Sequence, residues 1–324
     1  MSHELTIRES GKVEFAYTGD SKKIWHRLGS QLEEGASIET WVRESGLDWC
    51  ILESMLTYQS MNGEHTFPDK KALFRSDTKA ALSIVGSDYH VVQPGEVLEF
   101  FRDLTELHGF KLSAAGSIFN GRRFWATAEV GKTFEATKGD TINGQLLLVT
   151  SCDSSSATVG KLVSQRSICQ NTLSVALAEK NKPTVRKTHA SPFDPRSFKL
   201  DLGLIDQSWE NFSNNIKKMA EVEVTTDFAK KYFETKIFNP DLSATDQSTQ
   251  AYNRVEKLMQ LLRNGDGADM AGNTAWGVLN SVTSMFTHGP RAKQDPSKKF
   301  WDSNFGNWDK LKNEAYSDML ALTA

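Results

Sequence analysis

The dipeptide Asn120-Gly121 constrains this chain more than any other pair of residues, because it lies between two apolar, β-prone runs, Phe110 to Phe119 and Phe124 to Val130. Asn-Gly supplies the two consecutive positive φ angles of a type I′ turn, whose twist matches that of the strands on either side. An antiparallel hairpin is expected here. A second pair of strand-like runs, Gln145 to Ser151 and Ala157 to Ser164, follows across Cys152-Asp-Ser-Ser-Ser. Ile168 to Glu179 then takes on a helical period, with Leu173, Ala176 and Leu177 on one face. The expected order is hairpin, hairpin, helix.

Upstream, Ser37 can cap a short helix with Ile38, Trp41 and Val42 as its apolar positions, ended by Gly46. Leu47 to Tyr58, Ala72 to Arg75 and Leu82 to Val85 read as an antiparallel meander. Gly95 to His108 carries the stripe Val97, Leu98, Phe101, Leu104, Leu107, and Gly109 suits the left-handed position after a helix. After a short strand from Thr184 to His189, helical patterns dominate: roughly 200–222, 227–236, 247–263, 274–286 and 304–322. The fold class expected is α+β, with antiparallel hairpins packed on helices in the N-terminal half and a mostly helical C-terminal half. The two regions divide near the Ser191 to Lys199 loop, as a β-rich core over 1–192 and a helical region over 193–324.

Charge narrows the function. The 324 residues carry a net charge of -3, which argues against a general polyanion binder. Yet from Val159 to Lys199 the bases Lys161, Arg166, Lys180, Lys182, Arg186, Lys187, Arg196 and Lys199 face only Glu179 and Asp194. One positive region sits inside an acidic chain. Its centre, Arg166-Ser-Ile-Cys169-Gln-Asn171-Thr172-Leu173, falls where a strand is expected to give way to a helix. There the Arg166 guanidinium and the first helical N–H groups would favour phosphate, with Asn171 and Thr172 as caps or ligand contacts. Arg186 and Thr188 would share one face of the following strand, and Lys187 and His189 the other. If that strand pairs with 157–164, it extends the positive stripe begun by Lys161 and Arg166. Arg122 and Arg123 form a basic tip on the first hairpin, beside Phe119, Phe124 and Trp125 as candidate stacking platforms. Each residue also has a structural reading, as a cap, an internal ion pair or a solvated edge strand.

Signatures of the common enzyme classes are missing. There is no phosphate loop of the G-x-x-x-x-G-K-[ST] type, no G-x-G-x-x-G after a strand, no H-E-x-x-H and no G-x-S-x-G. Asn264-Gly-Asp-Gly-Ala-Asp269 lacks the spacing of a calcium loop and reads as a connection between helices. No cofactor, metal site or catalytic residue is expected. Cys50, Cys152 and Cys169 form no disulfide framework or zinc spacing, which fits a reducing compartment. The N-terminus has no secretory pattern, and no apolar run approaches membrane-spanning length.

Several motifs together, Trp25-His-Arg-Leu-Gly, Tyr89-His-Val-Val-Gln, Ala115-Gly-Ser-Ile-Phe-Asn-Gly-Arg-Arg-Phe-Trp, Arg166-Ser-Ile-Cys-Gln-Asn-Thr-Leu and Thr274-Ala-Trp-Gly-Val-Leu-Asn-Ser-Val-Thr with His288, resemble the phage/plasmid-like family called domain of unknown function 932. That resemblance implies a mobile-element protein of the bacterial cytoplasm and assigns no catalytic residues. Paired hairpins, a helix and a basic junction are similar, more loosely, to the core of phage single-strand annealing proteins of the Red-beta and RecT type. This second resemblance implies a homo-oligomeric ring or filament that holds single-stranded DNA in a basic groove and anneals it without ATP in recombination. A host single-strand-binding protein would be a further partner. The nucleic-acid contacts expected are Arg122, Arg123, Lys161, Arg166, Asn171, Thr172, Arg186, Lys187 and His189. Two other classes stay open: an enzyme using Cys169 as nucleophile, and a non-catalytic interaction protein docking through Trp209, Phe212, Phe228, Tyr232 and Phe233.

Overall fold

Asn120 and Gly121 take φ angles of 57° and 82°, and the Arg122 N–H donates to the Phe119 carbonyl at 3.2 Å, closing the I′ turn. The computed structural model describes residues 6–8, 10–19, 28–168, 172–174, 184–194, 205–238, 249–288 and 301–324. In chain order the elements are β1 (Phe15–Thr18), β2 (Ser30–Leu32), α1 (Ile38–Glu44), β3 (Ile51–Ser60), β4 (Gly63–Arg75), β5 (Ala81–Gly86), α2 (Pro94–His108), β6 (Lys111–Ile118), β7 (Arg123–Glu135), β8 (Thr141–Ser151), β9 (Thr158–Arg166), β10 (Thr172–Ser174) and β11 (Thr184–Lys187). Then come α3 (Ile205–Glu221), α4 (Thr226–Tyr232) continuing as a π-helical turn over Phe233–Phe238, α5 (Thr249–Asn264), α6 (Ala268–Ala271), α7 (Ala275–His288) and α8 (Asn307–Ala321). Strands fill the first half and helices the second, as the α+β reading expects.

Among the described residues, eight strands form the larger sheet in the order β10-β9-β8-β7-β6-β1-β2, with β11 also paired to β9. Apart from the parallel β1/β2 pair its neighbours run antiparallel. The meander β3-β4-β5 makes a separate three-stranded sheet. Alternation along the strands gives the larger sheet two buried faces. Phe124, Ala126, Leu146, Leu148 and Leu162 point into the main core, shared with α2 and with Trp209, Ile216, Leu258 and Leu279 of the later helices. Trp125, Leu147, Val149 and Val159 point the other way, into a smaller cluster against which Trp301 and Phe305 pack. One apolar core therefore crosses the 192/193 boundary, and each fully buried large side chain in it contributes roughly 1.5–3 kcal/mol.

Local signals account for the helix ends. Ser37 Oγ accepts the Thr40 N–H at 3.3 Å and caps α1. At the start of α2, the Gln93 N–H donates to the Glu96 carboxylate at 2.6 Å, Pro94 occupies the first turn, and Gly109 ends the helix at φ 67°. Two expectations change. The helix expected over Ile168 to Glu179 is contradicted at Thr172–Ser174, which forms β10, antiparallel to Gln165, Ser164 and Val163 of β9. The outer edge of β9 needs partners for its backbone groups, and this demand outweighs the weak helical period of a segment that opens on a β-branched threonine. Apart from Ile168, the remainder of that segment lies outside the described residues, as do Trp25 to Arg27 of the N-terminal motif. The second change is β4, which runs through Pro68 and is far longer than the expected Ala72 to Arg75.

Candidate nucleic-acid interface

Three of the expected contacts point inward. Arg166, 2% exposed, donates from Nε and Nη2 to the two carboxylate oxygens of Asp140 at 2.5 and 2.7 Å. It donates further to the carbonyls of Asp266 (3.2 Å) and Gly267 (2.8 Å), while the Trp276 Nε1–H completes the Asp140 shell at 2.9 Å. Gly267 has φ 75°, and a Cβ there would stand 2.7 Å from the guanidinium, so the Asn264 to Asp269 loop is shaped around this arginine. The recess beside it, lined in part by Leu262, Ala271 and Asn280, has room for about one water. The expectation of Arg166 as a phosphate fork at a helix start is therefore corrected: it is a buried clamp tying β9 to the α5–α6 loop and α7.

Lys161 is corrected in the same way. Its side chain is 1% exposed, and Nζ donates to Asp309 Oδ2 at 2.6 Å and to the Asn304 carbonyl. Burial pulls its amine below the usual lysine value, against the opposing pull of Asp309. Nearby Lys312 is fully buried and brought down to about 7, with Asp309 opposing the shift and Lys161 adding to it. His189 is third: it stacks on Tyr89 at 4.6 Å, its Nδ1 lies 3.0 Å from the His90 carbonyl, and burial lowers its pKa. On β9 the alternation of the strand selects the side: Lys161 and Val159 share the face covered by Trp301 and Phe305, whereas His189 lies in the turn after β11.

The other basic residues meet at one end of the sheet. β11 pairs with β9 so that Arg186 lies opposite Val159 and Lys187 opposite Thr158, which is the pairing the positive-stripe reading required. Arg186 is exposed and Lys187 half-buried. The same end carries the β6–β7 turn, because the Cys152 N–H donates to the Arg122 carbonyl at 2.9 Å and Arg123 pairs in register with Ser151. From β7 to β11 is three strand spacings, about 14 Å. Arg122 is exposed at the tip. Arg123 is held between two rings, 4.4 Å from the Phe119 centroid and 3.8 Å from that of Trp301, and donates to Ser155 Oγ at 3.1 Å. Phe119 itself sits at φ 56°, a conformation bulky residues rarely adopt. Asp153, the acid of this rim, accepts the Ser155 N–H at 3.0 Å and its hydroxyl.

Asn171 and Cys169 lie outside the described residues, and Thr172 is placed only as the first residue of β10. Cys152 is buried, which pushes its thiol up to about 12 and away from nucleophilic use. Among the described residues no group of acids, histidines and cysteines could hold a metal ion, and no helix is long and apolar enough to cross a membrane. Of the aromatic platforms expected from sequence, Phe124 is fully buried and Trp125 nearly so, leaving Phe119 at the rim. Trp301 was missed. Its signal was the i, i+4 pair Trp301/Phe305, whose rings lie 4.9 Å apart.

A model of the family described as domain of unknown function (DUF932) matches residues 81–304, and the chain belongs to that family. The match contains Arg122, Arg123, Arg186, Lys187 and Trp301, whereas β3 and β4 lie outside it. No curated protein and no solved structure matches the chain.

Proposed function

We propose that this chain binds single-stranded nucleic acid along the rim formed by the β6–β7 turn, the β8–β9 loop and β11, and holds the strand for annealing without ATP. The observation that carries the reading is the convergence of Arg122, Arg123, Arg186 and Lys187 on one end of the sheet. The roughly 14 Å from β7 to β11 corresponds to about two nucleotide steps of an extended strand. The Phe119–Arg123–Trp301 stack offers a planar surface for an unpaired base, and the Ser155 hydroxyl lies beside it. Contacts of this kind recognise backbone charge and base faces, so they need neither a metal nor a nucleophile. Lys161, Arg166 and His189 take no part.

The double reversal Arg122→Glu/Arg186→Glu tests the assignment. At low salt it should weaken binding of a fluorescent 20-mer by at least ~100-fold, because two attractive contacts become repulsive. Far-ultraviolet circular dichroism should not change. Wild-type affinity in a folded double variant would remove the rim from consideration.

A further inference from the structure

The three-stranded sheet leaves the body of the molecule as an arm. Its root is fixed: Arg75 donates to Glu14 at 2.5 Å and to Asp77 at 2.8 Å, and its guanidinium lies 3.9 Å from the Trp49 ring. Beyond the root, nearly every residue from Leu52 to Lys70 is exposed. That surface is apolar to an unusual degree, with Leu52 38%, Met55 75%, Tyr58 48%, Met61 103%, Phe67 44% and Ile84 60% exposed. Leu52, Tyr58, Phe67 and Ile84 share one face of the arm, and Met55 lies on the other.

β3 is an edge strand. The direction of its backbone groups follows from its ends. Cys50 faces β4, since its N–H donates to Ser76 Oγ and its carbonyl accepts the Ser76 N–H. Ile51 faces outward: its N–H donates to Gln93 Oε1 at 2.8 Å and its carbonyl accepts from Gln93 Nε2 at 3.2 Å. The Gln93 amide thus occupies the place a neighbouring strand would take. By alternation, Glu53, Met55, Thr57 and Gln59 present their N–H and C=O groups to the same outer edge, where no strand among the described residues lies. Natural edges are usually protected by charge, proline or a short length. This one runs ten residues with Glu53 as its lone charge and no proline.

We propose that this edge pairs antiparallel with β3 of a second copy, about a twofold axis through Leu56, to make one six-stranded sheet. This register uses all four outward residues and stops at Gln93. Glu53 falls opposite Gln59 and Met55 opposite Thr57, so the lone charge of each strand meets an amide and never its own copy. Leu56 meets Leu56 on the face that carries Leu52, Tyr58 and Phe67, and the apolar stripe becomes continuous across the axis. Charge selects the occupant: beyond the root Glu53, Glu64 and Asp69 stand against Lys70 and Lys71, a nearly neutral surface that suits a second arm and gives a polyanion no foothold. The inference does not depend on the rim.

Sedimentation velocity on the full chain across micromolar concentrations supplies the test. The wild type should self-associate, and Thr57→Pro, which removes one outward N–H and no β3–β4 bond, should raise the dissociation constant by about 100-fold with an unchanged melting temperature. In a Cys50→Ser/Leu56→Cys variant, the facing thiols should oxidise to a covalent dimer, since directly opposed residues lie about 4.5–5.5 Å apart. This second variant decides the matter if the proline variant does not fold. A chain that stays monomeric, association indifferent to Thr57→Pro, or absence of the cross-link would overturn the pairing. So would a monomer in which Thr57→Pro weakens oligonucleotide binding, because the edge would then serve nucleic acid.

Discussion

Replacing Arg166 by methionine deprives Asp140 of its contacts at 2.5 and 2.7 Å and leaves a carboxylate of 0% exposure facing the Trp276 Nε1–H at 2.9 Å. Removing one partner of a buried pair costs about 3–5 kcal/mol, because the remaining charge keeps its desolvation penalty. The carbonyls of Asp266 and Gly267 lose a donor each, adding roughly 1 kcal/mol apiece. Arg166→Met should therefore lose about 5–7 kcal/mol of stability, a large share of the roughly 5–15 kcal/mol that holds most domains folded. Asp140→Leu should cost a similar amount through the stranded guanidinium. The double variant removes both charges, so its cost should fall short of the sum by at least ~2 kcal/mol. Urea unfolding followed by tryptophan fluorescence gives all four corners of the cycle. Oligonucleotide affinity per folded molecule should be unchanged throughout. A loss under 1 kcal/mol for Arg166→Met, additive single costs, or a stable Arg166→Met protein that no longer binds oligonucleotide would each refute the clamp.

Two other perturbations have defined outcomes. The Lys312 amine titrates near 10.5 in the unfolded chain and about 7 in the folded one, so between those values the unfolded state holds the extra proton and stability rises with pH. From pH 7 to 9 the wild type should gain about 2–3 kcal/mol in urea unfolding; Lys312→Met should show a flatter profile and greater stability at pH 7. At the rim, Gly121→Val forces a β-branched residue to φ 82° and places a Cβ 2.7 Å from Arg75 Nη1 and 3.1 Å from Trp49. It should cost about 2–4 kcal/mol by thermal melting and weaken oligonucleotide binding by moving Arg122; a neutral result would mean that the turn is not held as described.

Much of the architecture was legible because local chemistry and tertiary demand agree. Asn120-Gly121 closes its turn, Ser37 and Gly109 bound their helices, and β11 finds the edge of β9. The site was legible only in part. Lys161 and Arg166 read as surface cations because solvation is the ordinary state of a base, and their partners Asp309 and Asp140 lie 148 and 26 residues away, beyond the reach of local pattern. Period 2 placed Arg186 and Lys187 on opposite faces, but it could not say that both faces of β9 are covered. The β10 strand was invisible for a related reason: the need to satisfy a sheet edge does not appear in the period of the residues that satisfy it.

The central claim is that the exposed arginines of the rim neutralise phosphates, and the salt dependence of single-strand binding tests it most directly. With Arg122, Arg186 and Lys187 engaged, and Arg123 in part, a plot of log K against log salt concentration should have a slope of about -2 to -3. Arg122→Glu/Arg186→Glu should reduce its magnitude by more than 1. A slope near zero, or a steep slope that the double variant leaves unchanged, would contradict the account.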